Sequence, residues 1–435
     1  MANKKVLIIT YYWPPSGGAG VQRWLKFAKY LPEFGWNPVI FTPENPETPS
    51  IDESLIKDIP ESVIVVKTPI WEPYTFYKKF TGKKKEDKIS AGFIEEKKSK
   101  PLLEKISVFI RGNFFIPDPR KFWVSPSVKF LSNYIQKNDI ETIITTGPPH
   151  SMHLIGLKLK EKMNINWIAD FRDPWTNIDF YKELRLTKRS DKKHKKLENK
   201  VLTNADCVLS IGKTLGEELK NLGAKKIKVI TNGYDTDDLQ LSKQNLDEKF
   251  TLLHAGSLNK DRNHRILWNV LKDLAKENTD FKNKLEIKLI GKVDIQVSDL
   301  IRENGLEDCL NKIEYLPHNL ISGELQNARI LYLPINNTPN AKGILTGKFF
   351  EYLAAKRPIL TIGLEKSDIA EILNETKAGE IFDFKNYAGI KNFVQNEFTK
   401  YSNNQEEPVS TNIDKYSRKQ LTKELSELIH NINNG

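Results

Sequence analysis

Lys348 and Glu351 stand one helical turn apart in the stretch 343–362, GILTGKFFEYLAAKRPILTI, and suggest the binding of an anion and a diol. Thr346 can cap a helix running from about Gly347 to Ala355, in which Phe349, Phe350, Leu353 and Ala354 fall at helical spacing on a face that buries. Lys356 and Arg357 suit the negative end of that helix, Pro358 stops it, and Ile359–Ile362 reads as a short apolar strand. The other face presents Thr346, Gly347 and Lys348 in the first turn and Glu351 one turn later. Bare amides at a helix N-terminus, with a lysine beside them, attract an anion. A carboxylate a turn further in can hold a pair of ribose hydroxyls. An amphipathic packing helix with a surface lysine reads the same way, so the rest of the chain has to decide.

Other candidates sit where the chain leaves a strand. The first apolar run ends in YYWPPSGGAGVQR, where Gly17, Gly18 and Gly20 allow a ligand close to the backbone. The spacing matches neither a dinucleotide fingerprint nor a Walker A loop. Later strands lead into TTGPPHS, with His150 as a candidate acid, base or plain hydrogen bonder and His153 equally suited to a helical surface. DFRDPW follows, where Asp170, Arg172 and Asp173 can meet sugar hydroxyls or an acceptor phosphate, or else brace the loop as an internal ion pair. In the second half, HAGSLNKDRN places Gly256 and Ser257 at a strand end and Arg262 where a guanidinium can fork onto phosphate oxygens. No His, Asp or Glu cluster has metal-ligand spacing, so lysine and arginine are expected to carry phosphate charge without a metal.

The elements that must position these residues alternate. Strands are expected at Lys5–Thr10, Pro38–Thr42, Val63–Lys67, Ile140–Thr145, Trp167–Asp170, Cys207–Ile211 and Lys228–Ile230, with helical stretches between most of them. A second series follows at Phe250–Ala255, Leu285–Ile290, Lys312–Leu316, Ile330–Leu333, Ile359–Ile362 and Glu380–Phe382. This rhythm implies parallel βαβ units, and 435 residues suffice for two α/β domains in tandem. We expect domains at 1–230 and 250–411, a polar linker at 231–249, and a closing segment at 412–435 ending in a helix. Residues 72–125 break the rhythm and read as an insertion or lid.

With 39% hydrophobic and 28% charged residues the chain reads as globular and cytoplasmic, without a spanning segment or signal peptide. Cys207 and Cys309 fit a reducing compartment and exclude a cysteine zinc site. The net charge of +11 is concentrated. Residues 78–105 hold ten lysines against five acids, and residues 182–200 hold nine Lys/Arg against three. Such segments suit an anionic surface, either lipid headgroups, as at the inner face of a membrane, or nucleic acid, and equally suit solvated lysine-rich loops. The clusters lack the interleaved aromatics that would stack bases, so nucleic acid is not expected.

With these pieces in order, the chain resembles glycosyltransferase family 4 over nearly its whole length. The resemblance rests on the glycine loop at 17–20, DFRDPW at 170–175, TNGYD at 231–235, HAGSLNKDRN at 254–263 and GKFFEYLAAKRPIL at 347–360. It implies a retaining GT-B transferase of two Rossmann-like domains facing across a cleft. The donor, a nucleoside diphosphate sugar, would lie mainly on the second domain, and the final helix would return to the first. It further implies that Arg262 and Lys348 hold the donor diphosphate, that Glu351 holds the ribose, and that Gly17–Gly20 faces the phosphates. No cofactor is implied. The acceptor would be a glycan or a lipid-linked sugar of cell-surface polysaccharide or glycoconjugate synthesis. Two positions depart from the family pattern: Gly343 stands where a first glutamate usually lies eight residues before Glu351, and Ser257 follows Gly256 where arginine is common. A nucleotide-sugar epimerase of the same fold and a non-catalytic scaffold are the alternatives.

Overall fold

The structure, a computed structural model, describes residues 4–48, 50–73, 101–239, 246–314, 316–405 and 410–434. The chain divides into two compact units: Met1–Thr231 with Leu421–Gly435, and Asn232–Gln420.

The first unit is built on seven parallel strands: β1 (Lys4–Ile9), β2 (Trp36–Pro43), β3 (Ile64–Thr68), β4 (Thr142–Gly147), β5 (Asn166–Phe171), β6 (Cys207–Ser210) and β7 (Ile227–Val229). Their order is β3-β2-β1-β4-β5-β6-β7. Alternation along the strands feeds two cores. Leu7, Ile9, Val39 and Phe41 pack with Trp123, Ile155 and Trp167 on one face. Val6, Ile8 and Ile40 pack with Trp24, Trp36, Leu425 and Ile429 on the other. Both faces of the sheet are therefore covered, as parallel sheets require.

The second unit has six parallel strands: β8 (Phe250–Ala255), β9 (Leu285–Ile290), β10 (Leu310–Ile313), β11 (Ile330–Pro334), β12 (Ile359–Ile362) and β13 (Gly379–Phe382). Their order is β10-β9-β8-β11-β12-β13. Here too the strands alternate, with Phe250 and Leu252 in one core and Leu253 and Ala255 in the other. In both units the strand order reverses beside the first strand, between β1 and β4 and between β8 and β11. Open α/β sheets bind ligands at such a reversal, outside the carboxyl ends of the strands.

The expected strands all form, with ends shifted by a residue or two in several. The largest shift is at β10, which closes at Ile313 rather than Leu316. Of the segment expected as a linker, residues 232–239 pack into the second unit. Tyr234 is buried, its N–H donates to the Tyr416 carbonyl at 3.0 Å, and its own carbonyl accepts from Arg418 N–H at 2.7 Å. Residues 240–245 lie outside the described residues. The 72–125 segment resolves into the helix Pro101–Phe114 and the start of the helix Lys121–Lys137. Residues 74–100, which include most of the lysine-rich stretch, lie outside the described residues.

Candidate active site

In the second unit, the loops after β8 and β11 and the helix Gly347–Ala355 gather the candidate residues around the reversal point. Tyr352 fixes this helix, because its hydroxyl accepts the Ala255 N–H at the end of β8 at 2.9 Å. Gly256 then turns away at φ 115°, a conformation that L side chains rarely adopt. Lys348 crosses directly over it, so a Cβ at this position would overlap the Lys348 ammonium. The backbone conformation favours glycine here, and a side chain would in addition have to displace the end of Lys348.

Arg262 lies on the short turn Lys260–Arg262 and donates from Nε to Asn336 Oδ1 at 2.6 Å, which ties the loop after β8 to the loop after β11. His264 supports the same junction, with Nε2 3.0 Å from the Ile335 carbonyl. Among the described residues Lys348 has no hydrogen-bond acceptor and no carboxylate at ion-pairing distance. Burial, reinforced by the positive field of Arg262 and opposed by Glu351, lowers its pKa to about 8. Two cations held near each other without a carboxylate on Lys348 make a site built for an anion. The buried His254 just behind is held neutral, its pKa pushed down to about 3 by burial and then by Lys348.

Thr346 occupies the cap position but does not cap: its hydroxyl is buried without a hydrogen-bond partner among the described residues, and no side chain accepts from the first-turn amides. The Gly347 and Lys348 amides therefore remain open to a ligand, while Phe349 N–H donates to the Thr346 carbonyl at 3.3 Å. Glu351 lines a pocket with Tyr234, Asp235, Ser322 and Ala355. Lys356 closes the helix in the left-handed conformation at φ 55°. Arg357 is buried and donates to the Ala328 carbonyl at 2.8 Å, so it does not sit at the helix end as a surface cation.

In the first unit the loops after β1, β4 and β5 meet. Gly17 is buried against Ser50 and Asp52, while Gly18 is exposed at φ 102° and opens the helix Ala19–Tyr30 without a side-chain cap. Gly20 lies under the Arg172 guanidinium, where any side chain would collide. Arg172 also donates to the Pro148 carbonyl, and Asp173 beside it is exposed. Asp170 behaves differently from the expectation. It is fully buried and its carboxylate is consumed within the unit, by Arg23 at 2.9 Å, Trp24 Nε1 at 2.8 Å and Thr146 Oγ1 at 2.8 Å. It is not presented to a sugar.

His150 stacks on Trp175 at 4.9 Å, and burial, followed by the fields of His153 and Arg172, holds its pKa well below the usual histidine range. It is neutral at pH 7, which suits hydrogen bonding or proton acceptance rather than acid catalysis. His153 is buried, not on the helical surface. Thr145 Oγ1 accepts from Trp167 Nε1 at 2.9 Å and lies 2.9 Å from His153 Nδ1.

Arg23, Asn336 and Tyr352 all position this machinery, and none was expected from the sequence. Their partners lie 147, 74 and 97 residues away, and no local pattern encodes such pairs. Among the described residues no group of His, Cys, Asp and Glu has the arrangement to hold a metal ion, and no helix is long and apolar enough to cross a membrane.

Residues 93–238 match the model of Glycosyltransferase Family 4. No curated protein matches the chain. Among solved structures it is similar to sucrose-phosphate synthase from Thermosynechococcus elongatus, at 12% identity and TM-score 0.64, with 99% of each chain covered. A glycosyltransferase from Rickettsia africae ESF-5 is similar at 14% identity and TM-score 0.64, covering 100% of this chain and 99% of that one. A mutant of S. aureus TarM, in complex with fondaparinux, alpha-GlcNAc-glycerol and UDP, is similar at 12% identity and TM-score 0.60, with 99% and 100% covered. At these identities the structural likeness is one of fold. The chain has the GT-B fold, and its residues 93–238 match the Glycosyltransferase Family 4 model.

Proposed function

We propose that the chain transfers a sugar, with retention at the anomeric carbon, from a nucleoside diphosphate sugar to a glycan or lipid-linked acceptor of cell-surface polysaccharide or glycoconjugate synthesis. The observation that carries this reading is the pair Arg262 and Lys348 at the open N-terminus of the Gly347–Ala355 helix, with no carboxylate paired to Lys348. A diphosphate supplies the missing negative charge. As the glycosidic bond to the diphosphate breaks, the charge developing on the leaving phosphate meets the two side chains and the helix amides, so stabilisation is chiefly electrostatic. Glu351 would take the ribose hydroxyls. With no protein nucleophile assigned, attack on the same face of the sugar is the reading adopted, with the departing phosphate accepting the acceptor hydroxyl's proton. His150, neutral and in the first unit, would orient the sugar by hydrogen bonding, the Gly17–Gly20 loop would face the donor phosphates, and Arg172 and Asp173 would meet the acceptor or the transferred sugar. Association with an anionic membrane surface belongs to the same reading and is developed below.

The experiment is a thermal-shift screen against UDP, GDP, ADP and TDP and their common sugars without added metal. One base should raise the melting temperature selectively, and the rise should vanish in Lys348→Ala. No shift with any of them would overturn the donor assignment and leave the scaffold suggested by Gly343. Incubating the selected donor without acceptor separates an epimerase, which converts it, from a transferase, which leaves its sugar configuration intact.

A further inference from the structure

The helix Pro101–Phe114 carries its apolar side chains on the wrong face for a water-exposed element. Ile106 is 39% exposed, Phe109 39%, Ile110 37% and Phe114 63%, at spacings of three and four residues along one stripe. A surface helix ordinarily turns such a stripe to the core. Its packed side is instead held elsewhere in the first unit. Gly112 is buried against the Leu184 carbonyl and Leu186, closely enough that a Cβ would lie 2.6 Å from that oxygen. Asn113 donates to the Arg185 carbonyl at 3.2 Å and accepts from Thr187 N–H at 2.7 Å. The helix is thus fixed in place with its apolar stripe in water.

The apolar surface continues past the helix end. Phe115 packs edge-on against Phe122 at 6.1 Å, and Phe122 against Trp71 at 4.9 Å. Phe122 is 41% exposed and Trp71 56%. Cations flank it. Lys121 lies over the Phe115 and Phe122 rings, and burial, with the field of Lys193 second, lowers its pKa. The neighbouring helix Lys188–Asn204 exposes Lys188, Arg189, Lys192, Lys193 and Lys196. The acids on that helix are already engaged: Asp191 pairs with Lys195 at 2.8 Å, and Glu198 is buried on Thr176.

We propose that this face docks on an anionic bilayer, with the Pro101–Phe114 helix lying in the interface and the Lys188–Asn204 helix facing the headgroup phosphates. The composition separates this occupant from a protein partner. Protein interfaces gather aromatics but are depleted in lysine, whereas interfacial helices combine Phe, Trp and Ile with a dense rim of Lys and Arg. Contiguous exposed apolar patches rimmed by polar residues mark sites of interaction with a partner or a membrane. The proposal concerns the membrane part of the functional reading and does not depend on the donor assignment, because the face lies wholly in the first unit and the Arg262–Lys348 site wholly in the second.

The test uses the full chain with vesicles of phosphatidylcholine alone and of phosphatidylcholine mixed with phosphatidylglycerol, at physiological salt. Wild type should sediment with the mixed vesicles and not with the neutral ones. Two variant sets, Phe109→Ser with Phe114→Ser, and Lys188→Glu with Lys192→Glu and Lys193→Glu, should each weaken partitioning by at least about tenfold. All these side chains are solvent-exposed, so the melting temperature and the nucleotide-induced shift should stay as in wild type, which keeps a failed fold or a failed donor assignment distinguishable. Failure of wild type to bind mixed vesicles would overturn the proposal. So would undiminished binding by either set, since binding would then come from basic residues outside this face, or from charge without insertion of the helix.

Discussion

Lys348 is the residue whose protonation state decides what the donor site can hold. Its pKa, lowered to about 8 from an ordinary 10.5 by burial and by Arg262, places its titration just above neutrality. Below that value it is a cation, and above it a neutral amine with nothing to offer a diphosphate beyond a weak hydrogen bond. Nucleoside diphosphate sugars keep their phosphate charge unchanged over this range, so a pH dependence of binding near pH 8 belongs to the protein. Affinity for the donor should therefore be flat through neutral pH and fall as pH rises through about 8, with the onset moved upward by bound phosphate. Lys348→Arg should abolish the fall, because guanidinium stays charged. Donor titrations by calorimetry at several pH values would check this, and a profile that stays flat in wild type up to about pH 10 would detach Lys348 from the diphosphate. At saturation, Lys348→Ala and Glu351→Ala should each cut turnover tenfold or more, a charged hydrogen bond being worth about 1.5–3 kcal/mol. Gly256 was readable as a close-approach glycine from its place after an apolar run. That the group approaching it is the Lys348 side chain was not, because nothing in HAGSLN points to a lysine more than 90 residues further on.

Among the elements, the strands were legible because each is a short apolar run bounded by polar, glycine or proline residues, and a parallel sheet buried on both faces leaves no other place for such runs. β10 was the least well placed. Its residues LNKI alternate poorly, and Leu316, which was expected to close it, lies outside the strand. What was not legible is how elements hold one another. The Gly347–Ala355 helix was identified from its capping position, helical spacing and terminating proline, yet Thr346 does not cap it, and it is tied to β8 through Tyr352. Tyr352→Phe would strand the buried Ala255 amide. Such a loss costs about 1–3 kcal/mol, to be read as a lower denaturant midpoint at unchanged slope. A midpoint equal to that of wild type would mean that the amide finds water instead. In the first unit, Arg23 and Asp170 join the Ala19–Tyr30 helix to β5, and the same guanidinium donates to the Ile230 and Thr231 carbonyls at 2.9 and 2.7 Å. Asp170→Ala would leave that guanidinium buried and unpaired, at a cost of about 3–5 kcal/mol. A loss of activity in this variant would then report a disordered unit rather than a missing sugar contact.

At the scale of the molecule, the first unit is not continuous in sequence: residues 421–435 belong to it although a whole second unit intervenes. The reason is chemical. One face of the seven-stranded sheet carries Val6, Ile8 and Ile40, and the local chain covers it only in part, with Trp24 and Leu25 from the Ala19–Tyr30 helix. Leu421, Leu425, Leu428 and Ile429 of the helix Arg418–Asn434 fill the remainder. Polar contacts set the register. The Asn433 carboxamide oxygen accepts from Thr142 Oγ1 at 2.5 Å and from Asn166 Nδ2 at 2.8 Å, and Lys228 pairs with Glu424 at 3.0 Å. From the sequence this helix was expected to return only because the family resemblance implies it; its apolar spacing fits any amphipathic helix. Leu425 is completely buried at the centre of this contact, so Leu425→Ala should destabilise the first unit by about 2–5 kcal/mol, the transfer of one leucine plus the cavity it leaves. The second unit keeps its own two cores and the whole Arg262–Lys348 site, so a nucleotide should still protect it from unfolding in this variant. Limited proteolysis with and without nucleotide distinguishes the cases. Early cleavage confined to the first unit, with the second protected by ligand, is the expected pattern. Simultaneous loss of both units, with ligand protecting neither, would mean that the final helix stabilises the two as a single cooperative body.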